Sequence, residues 1–217
     1  MRRKLMITLL SVLTIAGLAS GTTAAADTAA PATPAVSAGP AAQYGTPAEL
    51  PPPSLPSTAA LPAPLPGAVA VYGPYVIRSY HDGRCLDADV ITMGANGTKV
   101  QMWACNYDPQ QRWYFHDLGN YNYLIQNEAS GRILDGDSNT MCCDGTKVQL
   151  WDHIPGNLNQ TWRLWTESDW DTMFQNNMYP YGQLDADLNG MCCNGTKVQL
   201  WHFIPNNPNN NQKWYLG

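Results

Sequence analysis

The chain has 217 residues and a net charge of −5, and only three of its basic residues (Arg2, Arg3, Lys4) and two of its acidic ones (Asp27, Glu49) precede Val71. The remainder is therefore acidic and carries no basic stripe, a charge balance that repels phosphate backbones and anionic surfaces and excludes nucleic acid as a partner class. It also holds all eight Trp and ten of the eleven Tyr, which ask for a different ligand.

Residues 1–26 read as a secretory signal peptide. The basic Met1-Arg2-Arg3-Lys4 precedes an apolar stretch over 5–18, and Ala24-Ala25-Ala26 before Asp27 offers a small-residue cleavage site. The apolar stretch is too short to span a bilayer, and no second long one follows. The mature protein is expected to be secreted, extracellular and soluble, without membrane insertion.

Residues 27–71 are dominated by Ala, Pro, Thr and Ser, with Pro51-Pro52-Pro53 near the centre. Such a composition buries too little apolar surface to offset chain entropy, so a disordered, extended linker or an inert pro-segment is expected. Residues 72–217 contain every Cys and every Trp and are long enough for one domain with its own core.

That domain repeats itself. Gly97-Thr98-Lys99-Val100-Gln101-Met102-Trp103 returns as Gly145-Thr146-Lys147-Val148-Gln149-Leu150-Trp151 and again as Gly195-Thr196-Lys197-Val198-Gln199-Leu200-Trp201. Fourteen residues before each Gln stands the first Asp of Leu86-Asp87-Ala88-Asp89, Leu134-Asp135-Gly136-Asp137 or Leu184-Asp185-Ala186-Asp187. Each copy closes with a second Gln-x-Trp: Gln111-Arg112-Trp113, Gln160-Thr161-Trp162 and Gln212-Lys213-Trp214.

The distance between the two Trp of a copy varies from 10 to 13 residues, whereas the Asp-to-Gln spacing is fixed. A constant part beside a variable part implies paired strands joined by a surface loop. The copies run over about 72–118, 119–168 and 169–217, with alternating, β-rich patterning as in Tyr75-Val76-Ile77-Arg78. Three all-β copies without capping repeats predict closure on a pseudo-threefold axis, a β-trefoil.

The triplicated Asp, the Gln-x-Trp and the final Asn-Gln-x-Trp closely resemble the ricin B-type lectin family of the bacterial secreted kind, over essentially all of 72–217. The resemblance implies that the Asp accepts hydrogen bonds from sugar hydroxyls, an aromatic stacks on the ring, and the late amides complete the cradle. The implied carbohydrate-binding residues are Asp87, Gln101, Trp103, Gln110 and Gln111 in the first copy; Asp135, Gln149, Trp151, Asn159 and Gln160 in the second; and Asp185, Gln199, Trp201, Asn211 and Gln212 in the third. Gln110 departs from the pattern, which has Asn there.

Other readings accompany these. Trp113, Trp162 and Trp214 are expected in the core, with their neighbouring Gln free to satisfy buried backbone groups. Trp103, Trp151 and Trp201 serve either as stacking plates or in packing, and Asp87, Asp135 and Asp185 either contact sugar or cap a turn. Asp89, Asp137 and Asp187 are expected to serve the turn that follows them.

Six Cys in an exported chain read as disulfides. The resemblance implies a Cys85 to Cys105 bridge stapling the first copy. The adjacent pairs Cys142-Cys143 and Cys192-Cys193 suit vicinal disulfides, and they lack the gap that would let one turn offer a zinc ion two ligands.

No catalytic residue, cofactor or metal site is expected: the conspicuous Asp recur in three separate places, and His81, His116, His153 and His202 share no repeat position and pair with no nucleophile. The implied partners are glycans or polysaccharides rich in galactose or xylose, together with a separate secreted glycoside hydrolase. A protein-binding or inhibitor trefoil with degenerate pockets is the alternative.

Overall fold

The computed structural model describes residues 45–53, 60–167, 171–190 and 193–217. The expected signal peptide lies outside them. The described residues form thirteen strands: β1 (Thr46–Pro47), β2 (Ala70–Ser79), β3 (Cys85–Ala88), β4 (Thr98–Trp103), β5 (Arg112–Gly119), β6 (Asn122–Asn127), β7 (Ile133–Gly136), β8 (Thr146–Trp151), β9 (Thr161–Thr166), β10 (Met173–Asn176), β11 (Gly182–Ala186), β12 (Thr196–His202) and β13 (Trp214–Leu216).

Alternation decides what each strand buries. In β4 the side chains of Thr98, Val100 and Met102 are shielded, while Lys99 and Trp103 are exposed. The same order holds in β8 and β12, so three copies of one pattern present one face inward, and on the outer face only Gln101, Gln149 and Gln199 are covered.

Antiparallel pairing joins β2 to β5, β5 to β6, β6 to β9, β9 to β10 and β13 to β2. A bridge between Thr172 and Trp214 closes this six-stranded ring. The hairpins β3–β4, β7–β8 and β11–β12 form a second layer, in which β4 pairs with β8, β8 with β12 and β12 with β4. A closed barrel capped by three hairpins around a pseudo-threefold axis is the β-trefoil that the repeats predict, and closure pairs its strands around the ring.

The core lies between the layers and is filled by symmetry-related residues, among them Leu86, Leu134 and Leu184 with Trp113, Trp162 and Trp214, all 0% exposed. Each buried indole would carry an unmet N–H, and each meets the same partner: Nε1 donates to the carbonyl oxygen of Leu86 (3.2 Å), Leu134 (2.8 Å) or Leu184 (3.1 Å). The late Trp are thus core residues.

Contacts between copies also run around the axis. Lys99 Nζ donates to the carbonyl of Gly195 (3.0 Å), Lys147 to that of Gly97 (3.3 Å) and Lys197 to that of Gly145 (2.9 Å). These three glycines sit at φ +91°, +87° and +88°, a left-handed turn that favours Gly. The residue before each glycine accepts from the next copy: Asn96 Oδ1 from Asp152 N (2.7 Å), Asp144 Oδ1 from His202 N (2.6 Å), and Asn194 Oδ1 from Ala104 N (2.8 Å).

The expectation of an unstructured linker over 27–71 is corrected where that segment is described. β1 pairs with β9 through Thr46↔Thr166 and Pro47↔Trp165, Ala48 is 7% exposed within the core cluster, and Leu50 packs against it. The Tyr75 hydroxyl donates to the carbonyl of Pro51 (2.5 Å). Gly45, at φ +92°, has no room for a side chain: a Cβ would lie 2.2 Å from the Thr166 carbonyl oxygen. The domain edge also lies earlier than residue 72, because β2 begins at Ala70, Val69 N donates to Asp117 O, and Leu65 N donates to His116 Nδ1.

Candidate carbohydrate-binding site

Each hairpin of the cap builds the same constellation. The register sets Asp87 opposite Gln101, Asp135 opposite Gln149 and Asp185 opposite Gln199. The Gln Nε2 then donates to one carboxylate oxygen at 3.0, 3.1 and 3.1 Å respectively. The late indole bonded to the preceding Leu carbonyl fixes the backbone from beneath, so the strand pair and the core together orient the carboxylate.

The second carboxylate oxygen is held by the late amide. Asn159 Nδ2 donates to Asp135 Oδ2 (2.6 Å) and Asn211 Nδ2 to Asp185 Oδ2 (2.8 Å). In the first copy the longer Gln110 does not take this place: its Nε2 lies 3.5 Å from Asn106 Oδ1 on the rim, and Gln111 Nε2 reaches Asp87 Oδ2 instead (3.0 Å).

The sequence-expected contact role of Gln111, Gln160 and Gln212 is corrected. All three are 0–1% exposed and bond the backbone of the variable loop. Gln160 accepts from Ile154 N (2.9 Å) and donates to Asp152 O (3.0 Å), and Gln212 accepts from Ile204 N (3.1 Å) and donates to His202 O (2.9 Å). Gln111 likewise accepts from Asn106 N (2.8 Å) and donates to Ala104 O (3.0 Å). They shape the loop from a buried position, and Gln111 in addition holds Asp87 Oδ2.

Sequence reasoning assigned no role to the repeated Lys. Lys147 Nζ donates to Gln149 Oε1 (3.0 Å) as well as to Gly97 O, so the Gln that holds Asp135 is itself fixed with its N–H groups towards the carboxylate. The fixed place of Lys two residues before Gln in all three copies was the available signal.

Trp151 lines one cleft with Asp135, and Trp103 and Trp201 hold the same strand position, two residues after the paired Gln. Trp103 is 38% exposed and the other two are half-buried, as a ring-stacking plate requires. Asp89, Asp137 and Asp187 serve the following turn, accepting from the N–H of Ile91 (3.1 Å), Asn139 (3.0 Å) and Asn189 (3.0 Å).

In the second copy these parts enclose a cleft of ≈ 130 Å³. Asp135, Gln149 and Asn159 form its polar floor, Asp137, Ser138, Asn139 and Asn157 add polar walls, and Trp151 and Ile154 are its apolar residues. Asn157 and Ile154, in the variable loop, were not singled out by the sequence. Asn157 Oδ1 accepts from Asn159 N (3.3 Å) and so sets the amide arm.

Burial pushes the acidity of all three Asp down. Desolvation raises Asp135 to about 6 and Asp185 to about 7, the amide hydrogen bonds opposing it, and Asp87 is raised for the same reason. These are costly carboxylates, each 2–4% exposed.

Cys85 and Cys105 are bridged, with Cα atoms 5.1 Å apart. Cys142 and Cys143 form a vicinal disulfide. Cys193 is disulfide-bonded, and Cys192 lies outside the described residues. In the third copy the bridge positions are held by Gln183 and Phe203, joined to Trp165 by its Nε1 hydrogen bond to Gln183 Oε1 (3.1 Å) and by edge-on ring contact.

The histidines are scattered. His116 is buried between Leu65 N and Gln126 Oε1, and burial lowers its pKa. His81 Nδ1 contacts the carbonyl of Asn209 (2.5 Å), and His202 Nδ1 contacts Asp144 Oδ2 (2.5 Å).

The ricin-type β-trefoil lectin domain-like family matches residues 68–151 and 111–201, more than half of the chain. The chain belongs to that family. No curated protein matches it.

Among solved structures, this lectin-type domain is similar to a designed threefold-symmetric protein, ThreeFoil, with 25% identity and a TM-score of 0.59, covering 65% of this chain and 96% of that one. It is also similar in fold to a ricin B-like lectin of Macrolepiota procera solved with lactose (19% identity, TM-score 0.55, 66% and 94% covered). A third similarity is to an exo-β-1,3-galactanase of Clostridium thermocellum (24% identity, TM-score 0.58, 66% covered), of which this chain spans only 29%.

Proposed function

We propose that the protein is a secreted, non-catalytic, multivalent lectin that binds galactose- or xylose-containing glycans through the three cap sites. The observation that carries this reading is the recurrent carboxylate with both oxygens held by amides beside an exposed or half-buried indole. Each carboxylate oxygen accepts more than one hydrogen bond, so the amides that hold Asp135 leave capacity for sugar hydroxyls, while the indole meets the C–H face of the ring.

Single sites of this size bind weakly, and a polysaccharide engaging several at once gains by effective concentration. The likeness to part of a galactanase supports a role beside a separate secreted glycoside hydrolase.

The test is a glycan array with the mature protein and with a variant carrying Asp87→Ala, Asp135→Ala and Asp185→Ala. Binding by the first and none by a folded variant supports the lectin. A wild-type protein that binds no glycan overturns it in favour of a protein-binding trefoil.

A further inference from the structure

The three sites share a floor and differ at their walls. The turn after the second Asp is the same in copies 1 and 2: Ile91 N and Asn139 N donate to the Asp89 and Asp137 side chains (3.1 and 3.0 Å), and Thr92 N and Thr140 N donate to the carbonyls of the same residues (3.1 and 3.0 Å). Val90 and Ile91 therefore stand where Ser138 and Asn139 line the second cleft. Asn139 also folds its amide back on Asp137 (3.0 Å), whereas Val90 and Ile91 are 65% and 90% exposed.

The opposite wall changes in the reverse sense. Asn106 N and Ile154 N donate to equivalent Gln side chains, Gln111 and Gln160, so Asn106 holds the place of the cleft-lining Ile154. Polar and apolar walls are thus exchanged between the two sites. The second oxygen of Asp87 is also held differently, by Gln111 Nε2 (3.0 Å) where Asn159 Nδ2 holds that of Asp135 (2.6 Å).

Resting on the lectin reading, we propose that the first site is specific for a sugar bearing a methyl group, as an acetamido or a 6-deoxy substituent, seated against Val90 and Ile91, whereas the second site prefers the unsubstituted hexose. Two exposed aliphatic side chains gain only from an apolar group set beside them, and a hydroxyl placed there would lose its hydrogen bonds to water.

The full chain carrying Asp135→Ala and Asp185→Ala, titrated calorimetrically with galactose, N-acetylgalactosamine and 6-deoxygalactose, is expected to bind at least one methyl-bearing sugar roughly fourfold more tightly than galactose, the worth of one buried methyl. The arm that responds identifies the substituent. Adding Val90→Ser and Ile91→Asn should abolish the preference. Equal affinities, a preference that survives those changes, or no binding by a folded first site would overturn the proposal.

Methyl-resolved NMR of the wild-type chain gives an independent reading: Val90 and Ile91 resonances should shift with the methyl-bearing sugar and not with galactose. A wild-type protein that binds galactose but leaves these resonances unmoved by every sugar overturns this inference alone. One that binds no glycan overturns the lectin reading as well.

Discussion

The indole Nε1 of Trp162 donates to the carbonyl oxygen of Leu134 at 2.8 Å, and Leu134 is the residue before Asp135. A side chain in the middle of the core thus fixes the backbone from which the site's carboxylate projects. Trp162→Phe keeps most of the apolar packing and leaves that carbonyl without its partner, at a cost of about 1–3 kcal/mol. Chemical denaturation should show this loss. Glycan titration should show weakening at the second site with the first unchanged.

Acidification should move stability and ligand binding in opposite directions. Burial holds Asp135 at about 6 and Asp185 at about 7, above the unfolded value. As pH falls, the folded state therefore takes up these protons first, and their contribution to stability rises from about pH 7 down towards pH 4. Protonation also removes acceptor capacity, so sugar binding should fade at the third site first and at the second next. Buried His116, whose pKa is lowered, acts the other way on stability below about pH 6.5. Thermal melts and calorimetry from pH 8 to pH 4 test both trends, and Asp185→Asn should shrink the stability gain.

Lys147→Met keeps the length of the side chain and removes the donor to Gln149 Oε1 and Gly97 O. With its orientation no longer fixed, Gln149 loses its preference for offering N–H groups to Asp135. Affinity at the second site should fall by roughly tenfold, equivalent to a net hydrogen bond of about 1 kcal/mol or somewhat more. NMR titration of the side-chain amides would read this directly. Unchanged affinity would show that the Lys serves only the junction between copies.

Removing residues up to 59 should destabilise the trefoil by about 2–3 kcal/mol, the order expected for exposing one large and one small apolar side chain, Leu50 and Ala48. Gly45→Ala should lose part of that stabilisation by itself, because a Cβ there meets the Thr166 carbonyl. Thermal melts of the two forms against the mature protein measure both effects.

The trefoil, the core role of Trp113, Trp162 and Trp214, and the turn role of Asp89, Asp137 and Asp187 were readable in the sequence, because each follows from a pattern written three times. The partners of the repeated Lys were not, since a hydrogen bond to a backbone carbonyl in another copy leaves no side-chain signature. The docking of residues 45–53 was missed for a different reason. Composition argues against a core for such a segment, yet Ala48 and Leu50 suffice once β9 offers an edge beyond the end of its pairing with β6. In the late Gln-x-Trp, sequence could not separate a Gln that faces a ligand from one spent on Ile154 and Asp152.

The Lys-to-Gly contacts pass from each copy to another and return to the start: Lys99 to Gly195, Lys197 to Gly145, Lys147 to Gly97. No single copy can offer its own lysine the glycine carbonyl, and two leave the circuit open. A peptide of one copy would therefore have to assemble as a homotrimer to make the cap, at a concentration-dependent cost that the tandem chain avoids by tethering. The covalent joins thereby also free each copy to diverge: once closure no longer depends on identical partners, one site can change its walls while the others keep theirs.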